Sequence, residues 1–254
     1  MNKYTELKDN PDEIIFKYIM GISCKEISVQ FDVSEKFVSN ILTKHGIPKR
    51  TAKETNLTRY GYSTSGSKFQ QIETEEDFYF LGYILADGCI SGGRLMITIN
   101  QKDKYILKKL QSYLGMVSQH GYGEREVYDK RTGKFYSSAS LTVKDESLVK
   151  NLGNLGIIPR KSAQETIKNS LCKYNRHFWR GVVDGDGHIY ISKQRSILAL
   201  VGSEDVVQSF IAFCIQEVGL ETSRVKSSKQ YKNCTLFKVQ LTGNDARNVA
   251  KYLY

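Results

Sequence analysis

The sequence predicts an α+β fold that is duplicated about a pseudo-two-fold axis and preceded by a small all-α domain. Two pairs of landmarks indicate the duplication. An apolar stretch that contains a glycine and ends in aspartate and glycine occurs at residues 80–88 and again at 179–187. A Leu-Thr-x-x-Asp pattern follows each of them, at 141–145 and at 241–245. The two offsets, 99 and 100 residues, differ by only one, which favours an internal repeat over chance similarity.

Each apolar stretch predicts a helix with its small residues on one face. Gly82 and Ala86 are four residues apart, and so are Gly181 and Gly185, so each pair shares a helix face. Because glycine has no Cβ, another backbone can approach it closely. We therefore expect the two helices to pack small face against small face and to end side by side.

Each predicted helix ends in an aspartate, Asp87 or Asp186. Two adjacent carboxylates repel each other unless a cation lies between them, and oxygen ligands of this kind suit Mg²⁺. Such a pair fits phosphodiester hydrolysis, in which metal ions activate water and stabilise the leaving oxygen. For either copy alone, the alternative is a buried helix with a glycine cap. A calcium loop is disfavoured because His188 and Ile189 occupy positions that require Asp or Asn, and Gly.

These residues give the sequence a family resemblance. Both stretches resemble the signature of the LAGLIDADG homing endonucleases, in the single-chain form with two motifs. The resemblance implies that the eighth motif position, Asp87 and Asp186, is the metal-binding acid. It implies that the seventh position, Ala86 and Gly185, supplies backbone carbonyls to the metal.

The resemblance covers residues 73–254 and implies one repeat at 73–168 and a second at 169–254. The implied function is that of a site-specific DNA endonuclease that hydrolyses a long duplex target. The implied cofactor is Mg²⁺, for which Mn²⁺ would substitute. The implied partner is double-stranded DNA, bound by a monomer that is a pseudo-dimer within one chain.

The resemblance also implies two further catalytic residues. Lys161 would stabilise the scissile phosphate, and Gln101 would order water in the active site. The alternative for Lys161 is an ordinary solvated surface position. The position equivalent to Lys161 in the second repeat falls beyond Tyr254. This leaves open a nickase that cuts one strand, or substitution by Lys193 or Lys229.

Residues 1–45 predict a helix-turn-helix domain. The pattern indicates a helix at 12–20, a second capped by Ser23 with Glu26, and a third capped by Ser34. Short helices joined by a tight turn place the second helix of the motif in the DNA major groove. The alternative is a helical unit that binds a protein partner. The residues predicted to contact DNA from this unit are Lys36, Ser39, Asn40 and Lys44.

Residues 46–72 predict a basic linker, with Glu54 as their only acidic residue. Lys49 and Arg50 are expected to follow the phosphate backbone of DNA. The alternative is a linker that is simply solvated.

Each repeat predicts the order helix, strands, helix, strands, helix, with helices on one face of an antiparallel sheet. Alternate residues on the other sheet face are polar, as in strands that read base edges in a groove. The alternative is a solvated face, which antiparallel sheets commonly have. The residues predicted to contact DNA from the strands and turns are Arg94, Tyr136, Ser138, Ser140, Tyr190, Ser192, Gln194, Arg224, Lys226 and Ser228.

Composition and charge limit the class of binding partner. The net charge of +10 and the pI of about 9.2 favour a polyanion, with nucleic acid preferred over membrane. The five cysteines show no paired spacing, so reduced thiols are expected. The polar N-terminus predicts no secretory signal, and no apolar run is long enough for a membrane span. The expected location is the cytoplasm, on the nucleoid of a bacterium or a phage-infected cell.

Two other functions share the predicted fold. One is a transcriptional regulator that binds DNA without cutting it. The other is an intron maturase that binds RNA. Both position-eight acids are present, which weighs against a regulator that has lost catalysis.

Overall fold

The computed structural model describes residues 3–51, 54–55, 66–116, 121–159, 165–222, 227–231 and 235–254. They form two hydrophobic cores. The smaller core includes Ile14, Ile27 and Leu42 from the N-terminal helices. The larger core joins residues from Phe69 to Leu253.

The N-terminal residues form the helices α1 (Lys3–Asp9), α2 (Asp12–Ile19), α3 (Cys24–Gln30) and α4 (Glu35–Lys44). The last three match the predicted helices, and α1 is additional. Ser23 and Glu26 form the predicted capping box at the start of α3. Ser34 caps α4 by accepting a hydrogen bond of 3.1 Å from the backbone N–H of Phe37.

Both ends of the predicted linker at 46–72 pack against folded structure. Ile47 packs against the smaller core. Phe69 is 2% exposed in the larger core, and Asn151 donates a hydrogen bond of 2.9 Å to the carbonyl of Lys68. The linker therefore begins later and ends earlier than its composition predicts, because single apolar residues anchor its two ends.

The two repeats have the predicted order of elements. The first contains α5 (Glu75–Asp87), β1 (Gly88–Ser91), β2 (Arg94–Asn100), a 3₁₀ turn (Gln101–Asp103), α6 (Lys104–Tyr113), β3 (Tyr122–Asp129), β4 (Lys134–Val143) and α7 (Glu146–Asn154). A short helix, α8 (Ser170–Lys173), leads into the second repeat. That repeat contains α9 (Arg176–Asp186), β5 (Gly187–Ile191), β6 (Ser196–Gly202), α10 (Glu204–Gln216), β7 (Ser227–Tyr231), β8 (Thr235–Thr242) and α11 (Gly243–Leu253).

Each repeat builds a four-stranded antiparallel sheet, with the strand orders β1-β2-β4-β3 and β5-β6-β8-β7. The shared order confirms the duplicated α+β fold. Ala139, Leu141 and Val143 are buried in β4 while the residues between them are at least partly exposed. This alternation leaves one sheet face against the helices and the other free, as predicted.

Capping boxes and hydrogen bonds fix the start of the first motif helix. Thr74 and Asp77 form the predicted box before α5, and the hydroxyl of Tyr113 also donates to Asp77. Burial on its own would raise the pKa of Asp77, but these hydrogen bonds together hold it below its ordinary value. A charged Asp77 therefore anchors α5 to α6.

The helices α5 and α9 touch through their glycines. A Cβ on Gly82 would overlap the carbonyl oxygen of Phe178, and a Cβ on Gly181 would overlap that of Tyr79. The contact is reciprocal, as a pseudo-two-fold axis between the helices requires. It confirms the predicted packing of small face on small face. No helix in the described ranges has both the length and the apolar character needed to cross a bilayer.

We predict that Gly82→Ala and Gly181→Ala each lower the free energy of unfolding by about 3 kcal/mol, because the added methyl forces two backbones apart. Gly153→Ala is the matched control. Gly153 is also helical, and a Cβ there would meet nothing within 4 Å, so its effect should stay within about 1 kcal/mol. Urea denaturation of the three variants measures the difference. Equal stability of all three would contradict the close helix contact.

Candidate metal centre and sheet surface

The ends of α5 and α9 bring the two position-eight acids together. Asp87 ends α5 and Asp186 ends α9. A Cβ built on Gly185 would lie 3.4 Å from the Oδ2 atom of Asp87. The Asp87 carboxylate therefore lies against the residue that immediately precedes Asp186. The same Cβ would lie 2.5 Å from the Cβ of Ala86, which explains why the second motif has glycine at position 185.

The donor set at this end of the helix pair fits a small divalent cation. The predicted ligands there are the carboxylates of Asp87 and Asp186 and the backbone carbonyls of Ala86 and Gly185, which belong to the last turns of the two helices. All are hard oxygen donors, which suit Mg²⁺ and Mn²⁺. Among the described residues, no cluster of three or more His, Cys, Asp or Glu side chains is placed to hold a metal. A cation here would take its remaining ligands from water or substrate oxygens, as Mg²⁺ commonly does.

A buried tyrosine lies one helical turn before the first of these acids. Tyr83 is 3% exposed, and Asp87 follows it by four residues on the same helix. Burial, followed by the charge of Asp87, raises the pKa of Tyr83 above its ordinary value. The hydroxyl therefore keeps its proton and stays a donor. The equivalent residue of the second motif is Val182, which has no such group.

Asp184, the acid at the sixth position of the second motif, has tyrosines as its partners. Asp184 accepts a hydrogen bond of 2.8 Å from the hydroxyl of Tyr79 and another from the hydroxyl of Tyr254. The guanidinium of Arg180 lies 4.9 Å from the centre of the Tyr79 ring. These residues line an open cleft of about 840 Å³. Asp184 thus ties α5 to α9 and to the residue after α11.

The free sheet faces present polar side chains on both repeats. In the first, Thr98 pairs with Ser140 and Asn100 pairs with Ser138, all on the face opposite the buried Leu95. The hydroxyls of Ser138 and Ser140 donate to the carbonyls of β3, at 3.3 and 3.4 Å. In the second repeat, Tyr190 is 51% exposed. The predicted polar faces are therefore present.

Comparison with known proteins agrees with this geometry. The homing endonuclease I-WcaI bound to its DNA recognition sequence is similar over 74% of this chain and 84% of its own, with a TM-score of 0.53 and 11% identity. The chain has the LAGLIDADG endonuclease fold.

Two other solved structures are more distant. The N-terminal LAGLIDADG domain of DUF199/WhiA has a TM-score of 0.44 at 14% identity, over 78% of this chain and 94% of that one. Mesophilic variants of the homing endonuclease I-DmoI have a TM-score of 0.42 at 13% identity, over 69% and 93%. No family model matches the sequence, and no curated protein matches it either.

The side chain of Gln101 has a protein partner on the first sheet. Its amide donates to Glu124, which also accepts 2.7 Å from the Tyr122 hydroxyl and 3.2 Å from Lys104 Nζ. Hydrogen bonds from Tyr122, Gln101 and Lys104 lower the pKa of Glu124 to about 2. The amide of Gln101 therefore has a charged partner in Glu124, and its role in ordering water stays a prediction.

The strand register explains the position of Gln101. Gly88, the residue after Asp87, pairs with Ile97. Thr98 is therefore the exposed β2 residue nearest the end of α5, whereas Gln101 lies beyond the end of the strand. Sequence reasoning missed Thr98 because the register, which fixes it, was unknown.

Some predicted residues lie outside the described ranges. They are Lys161, Arg224 and Lys226, and their roles stay predictions. Ser228 pairs with Lys238 in the second sheet. Ser192 and Gln194 lie in the turn between β5 and β6, where the hydroxyl of Ser192 donates 2.8 Å to the carbonyl of Arg195.

Sequence reasoning also missed exposed residues on the same sheet faces. Arg125 pairs with Ser138 in the first sheet, and Lys238 and Gln240 lie on the free face of β8. No residue of β3 is buried, so its sequence shows no alternation that would reveal which side chains face outward. For β8, the sequence does carry a signal. The apolar residues Val239 and Leu241, which are buried, alternate with the polar ones, and that alternation indicates which side chains face outward.

The N-terminal helices place their predicted contact residues on the surface. Lys36, Asn40 and Lys44 are exposed on α4, and Ser39 is partly exposed.

Arg94 lies on the free face of the first sheet beside Ser91. Tyr136 is 43% exposed near the β3–β4 turn, and its hydroxyl donates 3.1 Å to Thr132. Lys49 is exposed as well.

The structure corrects the prediction that Arg50 contacts DNA. Its guanidinium donates to the carbonyls of Gly21 and Ile22, both at 3.0 Å, and to that of Tyr18. It also lies 4.0 Å from the centre of the Tyr18 ring. These carbonyls lie in the last turn of α2 or just after it, where helical partners run out, and a planar guanidinium can bind several at once. Arg50 clamps the helical unit and is not free to bind phosphate.

We predict that Arg50→Ala destabilises the N-terminal helices by about 2 kcal/mol, because three carbonyls lose a charged donor. Arg50→Lys should recover less than half of the lost stability. A single ammonium group cannot form the same set of hydrogen bonds as the planar guanidinium, nor its contact with the Tyr18 ring. Hydrogen exchange of the α3 amides in the full chain should accelerate about thirtyfold in Arg50→Ala. Lys49→Ala is the control, and the same acceleration in both variants would contradict the clamp.

Proposed function

We propose that this chain is a metal-dependent DNA endonuclease that cuts a long duplex target. The observation that carries the proposal is the pair of position-eight acids, Asp87 and Asp186, at the ends of two helices in backbone contact. A protein that used this fold only for binding would have no need to keep two carboxylates side by side, since their repulsion is unfavourable without a cation.

The metal centre follows from the donor set. Asp87 and Asp186, with the carbonyls of Ala86 and Gly185, would hold Mg²⁺, and Mn²⁺ would substitute. The bound cations would supply an activated water and stabilise the leaving oxygen. Lys161 is proposed to stabilise the negative charge on the phosphate. Gln101 is proposed to order water in the active site, and the strand register adds Thr98 as a polar residue near the end of α5.

The duplex would lie along the free faces of the two sheets. These faces carry mixed hydroxyl, amide and cationic side chains, which is the chemistry that reads base edges and phosphates. The net charge of +10 supports binding to a polyanion. Because the two sheets have the same strand order, the target should be long and nearly two-fold symmetric.

The N-terminal helices are proposed to extend this contact along the DNA. The α3–α4 pair has the tight turn and the N-terminal cap of a helix-turn-helix, and α4 presents Lys36, Asn40 and Lys44 to solvent. A recognition helix uses its exposed N-terminal residues in the major groove. This unit would add affinity and specificity outside the cut site.

We predict Mg²⁺-dependent cutting of the DNA that flanks the gene for this chain, with the gene removed. EDTA should abolish cutting. Asp87→Asn and Asp186→Asn should each slow it about a hundredfold or more, since a preorganised charge at the reacting phosphate is lost. Asp184→Asn is the matched control from the same motif. Its carboxylate accepts hydrogen bonds from two tyrosines and is not among the proposed ligands, so this variant should cut at close to the normal rate.

Other outcomes separate the alternatives. Normal cutting by Asp87→Asn or Asp186→Asn would refute the proposed centre. Tight DNA binding with no cutting in Mg²⁺ or Mn²⁺ would identify a regulator. Binding to a folded intron RNA with indifference to duplex DNA would identify a maturase. Cutting of one strand only, scored with each strand labelled separately, would identify a nickase.

A further inference from the structure

The free faces of the two sheets differ in the chemistry of one inner strand. In the first sheet, the residues that β2 presents on this face are mostly polar beyond its start, and they include Met96, Thr98 and Asn100. In the second sheet, β6 alternates with the buried Leu198 and Leu200. Because side chains alternate between the faces of a strand, the free face of β6 carries only apolar residues, which are Ile197, Ala199 and Val201. We call these three residues the apolar strip.

The apolar strip does not belong to the hydrophobic core. In the part of the chain that the structure describes, the larger core takes Leu198 and Leu200 from β6, and Ile189 and Phe237 pack against it from the neighbouring strands. The three residues of the strip are not among its members or the residues packed against it. Ile197 and Val201 are partly exposed. Packing within this sheet therefore does not explain why all three positions are apolar.

Polar side chains border the apolar strip on both sides. Cross-strand partners lie on the same face of a sheet. The partners of the strip carry hydrogen-bonding groups and are at least partly exposed, and they are His188 and Tyr190 on β5 and Lys238, Gln240 and Thr242 on β8. This face is therefore complementary to a ligand that presents methyl groups between hydrogen-bonding edges.

The strand register shows which positions of the two sheets correspond. The glycine after each motif acid pairs with Ile97 in the first sheet and with Leu200 in the second. Thr98 and Val201, each one residue further along, are therefore equivalent. The two side chains have nearly the same shape, but threonine has a hydroxyl where valine has a second methyl. At this place the first sheet can form a hydrogen bond with a base edge, and the second sheet can make only an apolar contact.

We propose that the apolar strip reads the 5-methyl groups of thymine in one half of the DNA target. Thymine presents a methyl group in the major groove, and apolar side chains recognise it by contact. The first sheet, with hydroxyl and amide groups at its centre, would read hydrogen-bonding edges instead. The two half-sites would then share their spacing but differ in base content. The inference rests on the DNA binding of the proposed function and names the bases that the second sheet prefers.

The test begins with the selection of binding sites from random duplex DNA by the full chain. Selection in EDTA measures binding without cutting. One half of the selected site should be enriched in thymine. Replacing thymine by deoxyuridine in one half at a time then removes only methyl groups and keeps base pairing. Affinity should fall about fourfold for each contacted methyl in the thymine-rich half and should change less than about twofold in the other half.

Protein variants assign this effect to the apolar strip. Ile197→Ser and Val201→Ser should each lower the ratio of affinities for thymine and deoxyuridine DNA by about fourfold. Ile191→Ser is the matched control. Ile191 is 47% exposed on the same sheet, but it pairs with Ser196, whose hydroxyl accepts a hydrogen bond from Arg247 of α11. It therefore lies on the helix side, and its variant should keep the ratio. A general loss of folded protein cancels, because each variant is measured on both DNAs.

Three results would overturn the inference. They are a selected site without thymine enrichment in either half, an equal effect of deoxyuridine in both halves, and an effect that persists unchanged in Ile197→Ser and Val201→Ser. In the last two cases the methyl groups would act through the shape of the DNA.

The inference and the proposed function can fail separately. If the chain binds its selected site but cuts it in neither Mg²⁺ nor Mn²⁺, the proposed endonuclease is refuted, and a deoxyuridine effect that depends on the strip still supports the inference. If the chain selects no duplex sequence, both are refuted.

Discussion

The backbone contact between α5 and α9 is the constraint on which the rest of this structure depends. Gly82 and Gly181 each face a carbonyl of the other helix with no room for a side chain. Because the contact is reciprocal, it sets the pseudo-two-fold axis and places one sheet on each side of it. It also brings Asp87 and Asp186 to the same end of the pair. Glycine is required at both positions because a Cβ at either one would push the helices apart. The close approach of the two acids therefore depends on these two glycines.

The two repeats cannot be identical, because one chain has only one connection between them. That connection follows α7, and its Ile167 and Cys172 are buried, lining one cavity with Leu81 and Leu85 of α5. The equivalent positions on α9 are Arg180 and Asp184, which face an open cleft beside Tyr254. The first motif is therefore apolar at the positions that the connection covers, and the second motif is polar at the equivalent positions, which face the open cleft. This explains why its sixth position differs between the copies.

Local signals predicted much of this fold from sequence. The repeated motif, the caps at Ser23, Ser34 and Thr74, and the position-eight acids all depend on residues close together in the chain, so short patterns reveal them. The contacts that were not predicted involve distant partners. Arg50 binds carbonyls about thirty residues earlier, and a basic segment gives no sign of that contact. The amide of Gln101 donates to Glu124 on another strand, and only the strand register reveals that pairing.

The central claim is that Asp87 and Asp186 hold a divalent cation between the ends of the two helices. The most direct test is the anomalous diffraction of Mn²⁺ in crystals of the protein with target DNA. The account predicts an anomalous peak within bonding distance of a carboxylate oxygen of each aspartate, about 2.2 Å for a hard divalent ion. A peak at other side chains, or none in crystals that contain saturating Mn²⁺, would contradict it.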